Sequence, residues 1–126
     1  MVLNVTINGG YLTYNDIQEL NCLSDNRNVY FTLLESHNFL PPEVILILIE
    51  IAKTAADGML INALYDTLKF TLHGILVKIS TKKLNKTVQL EVVYNNKKLS
   101  FKCNFPLTNE QTNQLINAVV QNFLND

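Results

Sequence analysis

The chain has 126 residues, the size of one domain, and such a domain buries about two-thirds of the surface that its unfolded chain would expose. Ten basic and eleven acidic residues leave a formal net charge of −1, so the sequence lacks the basic excess that nucleic-acid-binding proteins normally carry. We therefore expect a single domain over 1–126 and no nucleic-acid partner.

Signals for export and for membrane insertion are also missing. No leader-like pattern opens the sequence, and Cys22 and Cys103 are its only cysteines, so we expect a cytoplasmic protein with two free thiols. No stretch reaches the roughly 18 consecutive apolar residues of a membrane span. Reversible attachment to a membrane surface stays open as an alternative.

The first third of the chain predicts a strand, a helix and a second strand. Residues 2–7 alternate between apolar and polar types, as a strand does. Thr13 is followed three residues later by Asp16, which resembles a capping box and predicts a helix over 14–24. The segment 28–36 is rich in β-forming residues and predicts the second strand.

The very apolar stretch EVILILIEIAK follows two prolines, which suit the start of a helix better than the start of a central strand. Glu43, Glu50 and Asp57 lie seven residues apart, a spacing that puts them on one side of a helix. These acids predict a helix over 42–58. Leu46 and Ile47 would then flank Glu50 on its wet side. Either the chain's own loops cover them, or these three residues are the candidate partner interface.

A second apolar helix is predicted over 59–79 from the helical spacing of its leucines. Gly74 could end it early, in which case residues 74–80 would be an additional strand. We favour continuation of the helix to Ile79, followed by an exposed linker over 80–86.

The C-terminal third predicts a hairpin over 87–105 that turns on Asn95 and Asn96, because asparagine accepts the positive φ of a two-residue turn. This turn puts apolar pairs on one face and polar pairs on the other, which supports the register. The predicted apolar pairs are Val92–Leu99, Leu90–Phe101 and Val88–Cys103, and the polar pairs are Glu91–Ser100 and Gln89–Lys102.

A closing amphipathic helix follows, with a second capping box at Thr108 and Gln111. The predicted order is β-α-β-α-α-β-β-α. We therefore expect an α+β fold in which a mixed or antiparallel sheet of about four strands has helices packed mainly on one face.

Residues with catalytic or metal-binding potential are few. Glu35 and His37 lie two apart and could serve proton transfer, although a surface histidine is the commoner meaning. His73 lies in an apolar stretch, and the hairpin register points Cys103 into the core, where a thiol is normally inert. No third ligand stands at a metal-site spacing from either histidine. We expect no catalytic residue, no cofactor and no metal.

The hairpin with its capped helix, preceded by two apolar helices joined across AADGMLINALYDTLKF, resembles the small effector-associated constant component of bacterial conflict (defence) systems. The resemblance covers the order of elements over most of the chain and rests on no invariant motif. It implies a non-enzymatic adaptor and transfers no site residue.

The sequence leaves three hypotheses. The preferred one is a non-catalytic interaction or adaptor module, in a bacterial or phage defence system, that binds a protein partner or a second copy of itself. The alternatives are a membrane-active effector that uses the apolar helical pair 42–79, and a small enzyme that uses Glu35 and His37.

Overall fold

The computed structural model describes residues 2–9, 11–34, 43–53 and 61–124. These residues form an α+β fold, as predicted, with five strands where about four were expected. The elements in chain order are β1 Val2–Asn8, α1 Tyr14–Leu23, β2 Val29–Leu33, β3 Val44–Lys53, α2 Ile61–Ser80, β4 Lys86–Tyr94, β5 Lys97–Phe105 and α3 Asn109–Leu124.

The sheet is mixed and has the strand order β2-β1-β3-β4-β5. β1 and β2 are parallel, as are β3 and β4, whereas β1 is antiparallel to β3 and β4 is antiparallel to β5. Each parallel pair has a helix between its strands in the chain, as parallel neighbours require. The fold therefore contains two β-α-β units, β1-α1-β2 and β3-α2-β4, which run in opposite directions and meet where β1 pairs with β3.

The helix predicted over 42–58 is wrong, because its described part forms strand β3. Isoleucine occupies alternate positions of this strand, and Ile45, Ile47 and Ile49 are each at most 1% exposed on the face that packs against the helices. β-Branched side chains favour a pleated strand, and a period of two places all three in the core. The helical pair 42–79 therefore does not exist as predicted, and the element order becomes β-α-β-β-α-β-β-α.

The prediction that the second helix continues past Gly74 is confirmed, because α2 runs to Ser80 and residues 74–80 form no strand. Gly74 lies where α2 crosses α1. A Cβ atom placed on it would stand 3.1 Å from Cδ2 of Leu20. The glycine therefore allows the two helices to approach closely.

The predicted hairpin is confirmed pair by pair, including Val92 with Leu99 and Gln89 with Lys102. Asn95 and Asn96 have φ values of 51° and 65°, as a type I′ turn requires. Both predicted capping boxes are present. Thr13 and Asp16 bond each other's backbone N–H groups at the start of α1, and Thr108 and Gln111 do the same before α3.

One face of the sheet carries the core. Alternate residues of all five strands are buried there and form a single cluster with the apolar residues of the three helices. The chain is thus a two-layer structure, with the sheet in one layer and the helices in the other. The buried strand residues are Leu3, Val5, Ile7, Val29, Phe31, Ile45, Ile47, Ile49, Val88, Leu90, Val92, Tyr94, Cys103 and Phe105.

Candidate binding surface

The second face of the sheet, here called the open face, consists of the strand residues that alternate with the core residues. None of the three described helices packs on it. Val44, Leu46 and Leu48 occupy alternate positions of β3 and are half-buried. On β4, Val93 pairs with Leu48. We call these four side chains the aliphatic patch, because they form a continuous apolar area at the centre of the open face.

Polar residues surround the aliphatic patch. Leu46 lies between Asn8 of β1 and Glu91 of β4, and Thr6 lies on the other side of Leu48 from Val93. An apolar centre with a polar margin is the usual composition of a protein-binding surface. The other polar or charged positions of the open face are Asn4, Tyr30, Thr32, Glu50, Thr87, Gln89, Lys98, Ser100, Lys102 and Asn104.

The charged residues of the open face differ between its two ends. The ammonium group of Lys98 is 2.9 Å from the carboxylate of Glu91, so these two charges compensate each other. Glu50 is exposed near one end of β3, and Lys102 is exposed in the row that contains Val44, at the other end. Six residues of strand separate the two rows, or about 20 Å. Outside the pair of Glu91 and Lys98, the open face thus carries a carboxylate near one end, here called the acidic end, and an ammonium group near the other.

The predicted interface residues fall on both faces of β3. Leu46 and Glu50 lie on the open face, whereas Ile47 is fully buried against the helices. Ile47 therefore belongs to the core and cannot contact a partner. Val44 and Leu48 were not predicted, although a reading of 43–53 as a strand would have placed them on the same face as Leu46. Val93 was not predicted either, because its place beside Leu48 depends on the pairing of β3 with β4.

A notch opens at the acidic end of the open face, because β3 is longer than β4 at that end. The pairing of these strands ends at Ile49 and Tyr94, and β3 continues to Lys53 while the chain turns into β5. The notch has a volume of about 330 Å³. It is lined by Leu48, Ile49, Glu50, Ile51, Val93, Tyr94, Asn95 and Asn96. It is therefore a recess with a carboxylate and two amides beside the aliphatic patch.

The helix layer has a smaller apolar cleft of about 120 Å³ between α1, β2 and α2. Phe70 and His73 line it together with Leu20, Leu23, Phe31 and Gly74. The guanidinium carbon of Arg27 lies 4.4 Å from the centre of the Phe70 ring, in cation–π contact. His73 has no carboxylate partner among these lining residues, so the cleft contains no acid–base pair.

The remaining candidates for chemistry do not form a site in the described part of the chain. Cys103 is buried, and burial raises the pKa of its thiol, which keeps it protonated and a poor nucleophile. Cys22 is exposed on α1, and both thiols are free. No group of three His, Cys, Asp or Glu that could hold a metal occurs among the described residues. Glu35 and His37 lie outside those residues.

Within the described ranges, no helix is both long and apolar enough to cross a membrane. Comparison of the chain with protein-family models, curated proteins and solved structures found no match.

Proposed function

We propose that the chain is a non-catalytic protein-binding module that docks a partner protein on the open face of its sheet. The aliphatic patch of Val44, Leu46, Leu48 and Val93 is the observation that carries the proposal. Single exposed aliphatic residues need no explanation, but a continuous apolar area with a polar margin is typical of an interaction site.

The charges of the open face specify the partner further. Docking would bring a partner group close to Glu50 at one end and another close to Lys102 at the other end. Like charges placed together across an interface are costly, so the partner is expected to present an aliphatic surface with a basic group at the first position and an acidic group at the second. The notch beside Glu50 would accept a side chain of that basic end.

The resemblance to the constant component of conflict systems supports an effector as the partner, and a bacterial or phage defence setting stays a prediction. Of the pattern behind the resemblance, the hairpin and closing helix are present, while the first of its two apolar helices is strand β3. We also propose a cytoplasmic location, which the free thiols of Cys22 and Cys103 support.

The test is affinity purification from the native host with three versions of the chain. The wild type is compared with the double variant Leu46→Glu/Leu48→Lys, which places charges in the aliphatic patch. The matched control is Leu23→Glu/Val77→Lys, which charges two exposed aliphatic residues of the helix layer, 71% and 38% exposed. We expect the wild type and the control to retain the same partner, identified by mass spectrometry, and the open-face variant to lose it.

Thermal unfolding of all three proteins shows whether lost binding is a folding defect. Loss of the partner with the helix-layer variant, or its retention by a folded open-face variant, would contradict the proposal. Changing Ile47 would not test it, because a charge at a fully buried position unfolds the core.

A further inference from the structure

The two edges of the sheet differ in how their backbone groups are satisfied. On edge strand β2, the side chain of Asn21 accepts a hydrogen bond from the N–H of Phe31 at 2.8 Å and donates one to its C=O at 3.0 Å. The hydroxyl of Ser24 donates to the C=O of Val29 at 2.9 Å. Asn28 and Leu34 make backbone hydrogen bonds to β1. Because backbone groups alternate in direction along a strand, the N–H and C=O groups of Val29 and Phe31 point away from β1. Helix α1 thus closes this edge to further strands.

Among the described residues, none covers edge strand β5 in this way. The type I′ turn makes Tyr94 and Lys97 a hydrogen-bonded pair, and such pairs recur at every second residue of a hairpin. The N–H and C=O groups of Lys98, Ser100, Lys102 and Asn104 therefore point away from β4. No side chain in the described part of the chain bonds to these backbone groups. This edge is a template of nine residues for another strand.

Apolar surface remains beside this template. Leu90 and Val92 of β4 are each 2% exposed on the helix side of the sheet, whereas their partners Phe101 and Leu99 on β5 are only half-buried. A strand added to β5 would cover both side chains. The edge therefore offers hydrophobic burial as well as backbone hydrogen bonds.

The sequence of β5 is suited to pairing with a second copy of itself. When two copies run antiparallel and overlap over all nine residues, Phe101 lies on the two-fold axis. Leu99 then faces Cys103 of the second copy, Ser100 faces Lys102, Lys98 faces Asn104, and Lys97 faces Phe105 at the ends of the overlap. The central apolar residues Leu99, Phe101 and Cys103 therefore meet apolar ones, and no lysine meets a lysine. If the two-fold axis passed through Ser100 instead, Lys98 would face Lys102 of the second copy. If it passed through Lys102, that lysine would face the same lysine of the second copy. Both arrangements are unfavourable, because like charges lie opposite each other.

We propose that two copies of this chain associate through β5 in this register and form one continuous sheet of twice five strands. Lysines on an edge strand commonly discourage such pairing. Here Lys98 is compensated by Glu91, and Lys102 faces a serine hydroxyl. A second copy of the chain is therefore the partner that we propose for β5. This pairing is independent of the partner on the open face.

Disulfide trapping tests the register. The variant Leu99→Cys, made with Cys22→Ser to remove the exposed thiol, places a new thiol opposite Cys103 of the second copy. Opposite residues of a non-hydrogen-bonded pair have Cα atoms about 4.5 Å apart, within disulfide range. Residues 99 and 103 of the same strand are about 13 Å apart, so they cannot join within one chain. Under oxidation we expect a covalent dimer of twice 14.3 kDa on a non-reducing gel.

The matched control is Ser100→Cys in the same background, which carries its thiol on the other face of the sheet, opposite Lys102, and should stay monomeric on the gel. Equal cross-linking of the two variants would overturn the proposed register. Light scattering of the wild type over a wide concentration range should show a dimer. A wild type that stays monomeric throughout would overturn the proposal.

The variant Ser100→Pro provides a second test that does not depend on thiols. Proline removes an N–H that points outward, so the pairing of β5 with β4 keeps its hydrogen bonds while the pairing between copies loses its own. We expect a folded monomer by light scattering and circular dichroism. A folded variant that still dimerises would show that the copies meet elsewhere.

Discussion

The two β-α-β units share a topology but are stabilised by different interactions. In the first unit, α1 has ten residues and buries only Asp16, Ile17 and Leu20. In the second, α2 has twenty residues and buries an apolar face along most of its length, with Leu68, Ile75 and Ile79 fully inaccessible. A helix of ten residues is marginal on its own, whereas burial of a long apolar face stabilises a helix directly. The same connection can thus be stabilised by hydrogen bonds or by hydrophobic packing.

The polar contacts of the first unit tie its helix at both ends. The capping box at Thr13 and Asp16 satisfies backbone N–H groups at the start of α1. Asn21 and Ser24 connect the other end to β2. Lys82, just after α2, places its ammonium group 2.6 Å from the carboxylate of Asp16. The first unit therefore depends on the end of the second for part of its electrostatic stabilisation.

The largest effect expected from this comparison comes from truncating a buried leucine of the second unit. Leu68→Ala should lower the free energy of unfolding by about 3 kcal/mol, because it removes buried apolar atoms and leaves a cavity. The matched control is Leu23→Ala on α1, where the leucine is 71% exposed and the loss should stay below about 0.5 kcal/mol. Urea unfolding of both variants measures the difference, and similar losses would show that the two helices do not differ as described.

An intermediate effect is expected at the edge of the first unit. Asn21→Ala removes both side-chain hydrogen bonds to the backbone of Phe31 and leaves an N–H and a C=O at the sheet edge without their partner. We expect a loss of about 2 kcal/mol and a greater tendency to aggregate, since the β2 edge becomes open to other strands.

The control for Asn21 is Gln18→Ala, an exposed position on the same helix, where little change is expected. Urea unfolding measures stability, and light scattering measures aggregation. If Asn21→Ala behaved like Gln18→Ala in both measurements, the closed edge would not depend on this side chain.

The sequence predicted the second half of the fold more accurately than the first, for a physical reason. The hairpin over 87–105 is local, and a type I′ turn with asparagines at both central positions fixes the register of every pair. Capping boxes are local too, and both were found. These features depend on residues within a few positions of each other, which a single sequence displays directly.

Strand β3 was mistaken for a helix because its decisive interactions are distant in sequence. It pairs with β1 and with β4, whose paired residues are at least 38 positions away in the chain. Both of its faces are largely apolar, so the alternation that marks a half-exposed strand is weak. The isoleucines at 45, 47, 49 and 51 are the signal that could have identified it. The same error put Ile47 into the candidate interface and left Val44 and Leu48 out, and the unpredicted pairing of β3 with β4 left Val93 out.

The smallest effect expected is the pH dependence of the contact between the two units. Burial disfavours the charge of Asp16, but hydrogen bonds from Lys82 and Thr13 outweigh that cost and lower its pKa below the ordinary value of 3.8. A carboxyl whose pKa is lower in the folded state stabilises the fold fully above its unfolded pKa, and this contribution is lost as the pH falls through the folded value. Stability from Asp16 should therefore be constant near neutrality and decline only below about pH 3.8.

The variant Asp16→Asn isolates this contribution, because it keeps the shape of the side chain and removes its charge. At pH 7 we expect it to be less stable than the wild type by about 1 kcal/mol, through the weakened cap and the lost ion pair with Lys82. The difference should shrink as the pH falls below 4, since the wild-type carboxyl then becomes neutral as well. Asp25→Asn, at an exposed position in the turn after α1, serves as the control for a general loss of negative charge. If the stabilities of the wild type and Asp16→Asn differed by the same amount from pH 7 to pH 2, the charge of Asp16 would not be the cause of the difference. The electrostatic link between the two units would then have to be abandoned.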